Sequence, residues 1–133
     1  MKEATMLTIA SLFSLLLLTF HLTGDIIYGW EKGGLANLIG ITLIGVVWLY
    51  GVLMFRERIP GYIITLLGGL VSLLVPYVHM SGKGVGVASR MSGHSGHFFF
   101  VWSLLALGVI GLFSAILSVR GLWSLRSRKK QVE

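Results

Sequence analysis

Apolar residues fill four long stretches of the chain, and polar residues are largely confined to the segments between them. The stretches cover about residues 4–28, 35–55, 60–80 and 97–123. Each reaches the roughly 20 residues that an α-helix needs to cross about 30 Å of hydrocarbon. The pattern predicts an all-α fold, an integral membrane four-helix bundle in which residues 1–133 make up a single transmembrane domain.

The segments between the stretches carry signals that end and start helices. Pro60 suits the first turn of the third helix, where its missing N–H would be unpaired in any case. Residues 81–96 form the one long loop, rich in glycine and serine, and residues 124–133 form a basic tail. The first stretch begins like a signal peptide, but no small-x-small cleavage motif follows Phe20. We therefore expect an uncleaved first helix.

Composition and charge also indicate a chain that is embedded in a lipid bilayer. Hydrophobic residues make up 55% of the sequence and charged residues 12%, against about 25% charged residues in soluble domains. The formal net charge is +6, but the basic residues crowd beside the apolar stretches instead of forming a separate basic region. This position excludes nucleic acid as the expected partner and favours the lipid bilayer, with anionic lipid headgroups at the basic side.

The distribution of basic residues predicts the orientation of the bundle. If the N-terminus is cytoplasmic, eight lysines and arginines lie on the cytoplasmic side and three on the other. The eight are Lys2, Arg56, Arg58, Arg120, Arg126, Arg128, Lys129 and Lys130, and the three are Lys32, Lys83 and Arg90. The positive-inside rule then places both the N and C termini in the cytoplasm of a multi-pass protein of the plasma (inner) membrane.

Pairs of small residues spaced four apart occur in every predicted helix. Such pairs let helix backbones approach closely in lipid, where hydrophobic association between helices is weak. We therefore expect all four helices to pack through them. The pairs are Ala10 with Ser14, Ala36 with Gly40, Gly68 with Ser72, and Gly111 with Ala115.

The first helix carries the strongest chemical signal in the sequence. His21 and Asp25 lie four residues apart, so the two side chains can touch. They belong to a stripe at helical spacing that also includes Ser11, Ser14, Leu18 and Tyr28. Ionisable residues inside a membrane are costly and mark functional sites by default. A mutually satisfied polar pair that only pins the helix is the structural alternative.

Three further histidines are expected at the same, outer end of the bundle. His79 closes the third helix one turn after Pro76, whose kink can direct the ring inward. His94 and His97 flank the start of the fourth helix at a spacing of three residues. Alternatively, His94 and His97 are loop histidines that are exposed to solvent and bind nothing.

Together these side chains predict an outward-facing site for a transition metal or a haem-type cofactor. Imidazole and carboxylate suit zinc, copper, nickel or iron, with His21, Asp25, His79, His94 and His97 as the candidate ligands. His21 and His79 are also the candidate axial ligands of haem b. The chain has no cysteine, which excludes disulfides, thiolate metal sites and cysteine-based membrane oxidoreductases.

Two other functions remain open from the sequence. The first is a small proton-linked transporter or channel that acts as a homo-oligomer, with His21 and Asp25 carrying protons. The second is a non-catalytic subunit or scaffold of a larger membrane complex, whose polar outer end contacts a partner. No motif names a reaction, so the residues leave open whether the protein is an enzyme.

Overall fold

The fold is entirely helical over the residues that the structure, a computed structural model, describes, namely 2–29, 33–80, 93 and 96–132. Helix α1 covers Lys2–Ile27, α2 covers Leu35–Met54, α3 covers Ile59–Met80 and α4 covers His97–Val132. All four are long and apolar enough to cross a membrane. The sequence predicted these helices to within a few residues, except that α4 continues through most of the segment predicted as a tail.

The four helices alternate in direction, and α4 is the main partner of both α1 and α3. Helix α2 touches the bundle from the side. It buries only Trp48, Gly51 and Val52. The ends of α1 and α3 therefore lie together with the start of α4, at what we call the histidine end. The starts of α1 and α3 and the end of α4 form the opposite, basic end.

Buried residues of α1 recur at alternating steps of three and four, which places them on one stripe of the helix. This stripe faces the other helices of the core, while the remaining residues of α1 are largely exposed. Its members are Ala4, Leu7, Ser11, Ser14, Leu18, His21 and Asp25, and Ala10 beside the stripe is also buried. The stripe predicted from the sequence, from Ser11 to Asp25, is thus the buried face. Tyr28, which the same spacing included, follows the last residue of α1 and is 40% exposed.

Helices α3 and α4 approach so closely that two glycines meet across their interface. A Cβ atom on Gly111 would lie 2.6 Å from the Cβ of Ser72 and 2.9 Å from the carbonyl oxygen of Gly69. Only hydrogen fits in this space. The predicted pair of Gly111 and Ala115 therefore faces α3. Of the predicted pair in α3, Ser72 faces α4, whereas a Cβ on Gly68 would overlap Trp48 of α2.

The small-residue pair of α2 does not pack in this way. Ala36 is exposed, and a Cβ on Gly40 would meet nothing within 4 Å. Gly51 is instead the close-contact glycine of α2, because a Cβ there would overlap the side chain of Ile64. The expectation that α2 packs through Ala36 and Gly40 was wrong, since spacing alone does not say which face of a helix meets its neighbours.

One buried hydrogen bond joins α3 to α4 in the half of the bundle near the basic end. The hydroxyls of Thr65 and Ser118 lie 2.9 Å apart, and both residues are almost fully buried. Hydrogen bonds between membrane helices contribute about 0.6 kcal/mol on average. A double-mutant cycle with Thr65→Val and Ser118→Ala should give a coupling of about that size in the free energy of unfolding. A coupling indistinguishable from zero would contradict the bond.

Candidate metal centre at the histidine end

Two helices supply the polar side chains of the candidate site. His21 and Asp25 occupy successive turns on the buried stripe of α1, near its end. His79 belongs to the last turn of α3, which continues through Pro76 as a single helix to Met80. Pro76 packs near Gly108 of α4. The site therefore forms where α1 and α3 end side by side against the first turns of α4.

Three potential ligand atoms converge at this point. Nε2 of His21 lies 3.2 Å from Nε2 of His79 and 3.4 Å from Oδ2 of Asp25. Nε2 of His79 lies 3.8 Å from the same Oδ2. Ligands at about 2.0–2.1 Å from a tetrahedral zinc ion lie about 3.3–3.4 Å from one another. The three atoms therefore approximate one face of a coordination tetrahedron.

The size of this triangle matches a first-row metal ion. The point in the plane of the three atoms that is equidistant from them lies about 2.0 Å from each atom, which is close to the zinc–nitrogen distance. An ion with slightly longer bonds would sit within about 1 Å of that plane and keep a fourth position for an external ligand. The same distances also permit a hydrogen bond in which one imidazole donates to the other.

An aromatic side chain of α4 completes the wall of the site. The ring of Phe100 is 3% exposed, and its centre lies 5.1 Å from that of His21 and 5.7 Å from that of His79. It packs against both imidazoles and limits the orientations that they can adopt. The sequence did not identify this residue, because the run Phe98–Phe100 gives no indication of which ring faces inward.

Burial differs among the three polar residues. The side chains of His21 and Asp25 are 3% and 4% exposed, whereas that of His79 is 15% exposed. Of the three, His79 is therefore the least covered. Nδ1 of His21 is buried, and none of the residues that the structure describes forms a hydrogen bond with it.

The structure brings together three of the five predicted ligands. His21, Asp25 and His79 form the one group of potential ligands found among the described residues, and their ligand atoms all lie within 4.8 Å of one another. His97 is half-buried in the first turn of α4 and does not belong to this group. His94 lies outside the described residues. Metal binding by any of the five stays a prediction.

The arrangement does not fit a haem bound between His21 and His79. Axial ligands lie on opposite faces of a porphyrin, with the iron and the macrocycle between them. Here the two imidazoles are in direct contact, and their planes are nearly perpendicular at 86° with ring centres 4.6 Å apart. The carboxylate of Asp25 adjoins both rings, so a single ion fits this space and a macrocycle does not.

Comparison with known proteins assigns no family to the chain. No protein-family model matches it, and neither does any curated protein or solved structure.

Proposed function

We propose that this chain is a multi-pass membrane protein that binds a divalent transition metal, zinc or copper, through His21, Asp25 and His79. The observation that carries the proposal is the triangle of two imidazole nitrogens and one carboxylate oxygen, whose dimensions suit one ion. We further propose that it resides in the plasma (inner) membrane with both termini in the cytoplasm. The metal site then opens to the outside.

Reversible metal handling fits the site better than a permanent structural ion. The three-ligand set leaves a position for an exchangeable ligand, whereas structural zinc sites are almost always closed by four protein ligands. The open position favours an ion that is bound and released.

The apolar packing beside the site supports binding over the alternative of transport. Leu18 lies one turn from His21 on the buried stripe of α1, and Leu104 and Leu107 of α4 are fully buried. Along α1, Leu18 separates His21 from the buried hydroxyls of Ser11 and Ser14. A polar route along this face of α1 would have to pass Leu18, whereas a binding site that opens at one end requires no such route.

The exposed side chains of the bundle indicate which partners other than the metal the protein has. Exposed apolar side chains cover most of α2, and we propose that the lipid bilayer surrounds them. Association into a homo-oligomer or a larger membrane complex through α2 is the second candidate. It is favoured by the small buried fraction of that helix. Anionic lipid headgroups are the proposed partners of the basic residues at the end of α4.

Elemental analysis of the detergent-purified protein tests the proposal directly. We expect about one zinc or copper ion per chain. The Co²⁺-loaded protein should show the visible absorption of a four-coordinate ion, since three protein ligands and one water complete a tetrahedron. A protein that is folded but takes up no metal, including added Zn²⁺, would refute the proposal. A Soret band in its place would indicate haem.

Acidification should weaken metal binding. Protons and the metal compete for the same Nε2 lone pairs. Lowering the pH from about 7.5 to about 5.5 should therefore weaken the binding of Zn²⁺. Competition with a chromogenic chelator, measured across this range, checks the prediction. An affinity that does not change with pH would contradict imidazole ligation.

A further inference from the structure

Phe100 of α4 forms a cluster of three rings with His21 and His79. The centres of the two imidazoles lie 4.6 Å apart, and the centre of the phenyl ring lies 5.1 Å from that of His21 and 5.7 Å from that of His79. The phenyl plane is tilted by 36° against the imidazole of His21 and stands at 80° to that of His79. A rotation of either imidazole therefore changes its packing against the phenyl ring.

The phenyl ring is itself enclosed by apolar side chains. Phe100 is almost fully buried, and Leu104, one turn further along α4, is fully buried. Val75 of α3 packs against this pair. Because protein interiors are closely packed, a ring enclosed in this way leaves its neighbours little room to reorient. Phe100 is therefore a fixed wall for the two imidazoles.

Packing is also what orients His21. The torsion about the Cβ–Cγ bond of histidine is broad, so the position of Nε2 is fixed only when other groups hold the ring. In metal sites a hydrogen bond from the second ring nitrogen usually does this. Nδ1 of His21 is buried, and no residue in the described part of the chain bonds to it. Among these residues, the orientation of the ring therefore depends on its contacts with Phe100, His79 and Asp25.

The arrangement of the ligand atoms suits a tetrahedral ion better than a square-planar one. With bonds of about 2.0 Å, neighbouring ligands lie about 2.8 Å apart in a square plane and about 3.3 Å apart in a tetrahedron. The three ligand atoms lie 3.2, 3.4 and 3.8 Å apart, so no two of them are close enough to be neighbours in a square plane. Zn²⁺ takes the tetrahedron, whereas Cu²⁺ favours tetragonal coordination. Binding of Cu²⁺ would therefore require the rings that Phe100 confines to move.

We propose that Phe100 is a positioning residue that gives the metal centre its selectivity. It holds the two imidazoles in the arrangement that suits Zn²⁺ and resists the rearrangement that Cu²⁺ requires. This inference rests on the proposed function, since it concerns the same centre, and it narrows the ion from zinc or copper to zinc. Cu²⁺ binds more tightly than Zn²⁺ to most nitrogen and oxygen sites, so selectivity here means a reduced advantage of Cu²⁺ over Zn²⁺.

Competition titrations of the purified full chain with Zn²⁺ and Cu²⁺ test this role. Phe100→Leu keeps the wall apolar but replaces the flat ring with a smaller, branched side chain. We expect the ratio of the Cu²⁺ affinity to the Zn²⁺ affinity to rise at least about tenfold, the lower end of the effect of groups that orient metal ligands. The visible absorption of bound Co²⁺ should weaken as well, because the ion departs from four-coordination.

Phe99→Leu is the matched control, because it makes the same chemical change at the preceding residue. Phe99 is half exposed and pairs with Phe20, with ring centres 6.5 Å apart. This variant should leave the ratio of affinities unchanged. Phe100→Met fills the space with a flexible chain and serves as the second test variant if Phe100→Leu does not fold. Circular dichroism checks the helix content of each protein.

Two results would overturn the proposal. One is a folded Phe100→Leu or Phe100→Met protein in which both affinities fall in the same proportion, since Phe100 would then support binding without selecting the ion. The other is an equal shift of the ratio in Phe99→Leu. Failure of the proposed function has a different signature, because the unaltered protein would then take up neither ion.

Discussion

The His21→Ala protein is expected to bind Zn²⁺ at least about 100-fold more weakly than the unaltered protein. Only His79 and Asp25 would remain as ligands. Loss of a residue that merely hydrogen-bonds to a metal ligand already lowers metal affinity by about 10–100-fold, so loss of a ligand itself should cost at least as much. His79→Ala should have an effect of the same order. Because its side chain is less deeply buried, this variant should also preserve folding better. Chelator competition measures the affinity, and circular dichroism checks that each variant remains helical.

His97→Ala is the matched control for these variants. His97 was a candidate ligand from the sequence, yet it does not belong to the cluster of ligand atoms, so its replacement should change the affinity by less than about threefold. Asp25→Asn preserves the shape of the side chain but removes its charge. It should weaken Zn²⁺ binding by more than His97→Ala and by less than His21→Ala. A folded His21→Ala protein with unchanged affinity would refute the metal centre.

The Gly111→Ala protein is expected to lose about 1–3 kcal/mol of unfolding free energy, the usual cost of overpacking a filled core. The added Cβ would lie 2.6 Å from the Cβ of Ser72 and 2.9 Å from the carbonyl oxygen of Gly69. The second contact is with backbone, so no side-chain rotation relieves it. The helices would have to separate, and α3 and α4 would lose packing along their length. Thermal unfolding in detergent measures the effect.

Gly45→Ala makes the same chemical change as Gly111→Ala, but we expect the opposite effect on stability. A Cβ on Gly45 meets nothing within 4 Å, and alanine is the better helix former by about 0.5–1 kcal/mol, so this variant should be neutral or more stable. Adding Ser72→Gly to Gly111→Ala should restore part of the lost stability, since it removes one of the two contacts. Equal stability of Gly45→Ala and Gly111→Ala would contradict the close approach of α3 and α4.

The sequence was sufficient for the number and type of the helices because lipid imposes simple rules on length and polarity. The same rules say little about which helices touch. The position of α2 at the side of the bundle and the pairing of α1 with α4 depend on how side chains of different helices pack together. The spacing of residues within one helix does not determine that packing. The continuation of α4 to Val132 was also missed, since a basic segment is compatible with either a helix or a tail.

Within the candidate site, local geometry explains what sequence reasoning found. His21 and Asp25 are four residues apart on one helix, so their contact follows from helical geometry alone. The approach of His79 depended on α1 and α3 ending at the same level, which alternating helix directions made reasonable. Phe100 and the exclusion of His97 from the cluster depend on the rotation of α4 about its axis. No periodic signal in the sequence fixes that rotation.

The pairing of the first helix with the last has a consequence for biogenesis. Translation produces α1 well before α4, which is its main partner in the bundle. Until then His21 and Asp25 have neither the aromatic wall of Phe100 nor a settled position beside His79. In a nascent chain these two polar side chains therefore lack their native surroundings until α4 is present, and the proposed metal site can form only after that point.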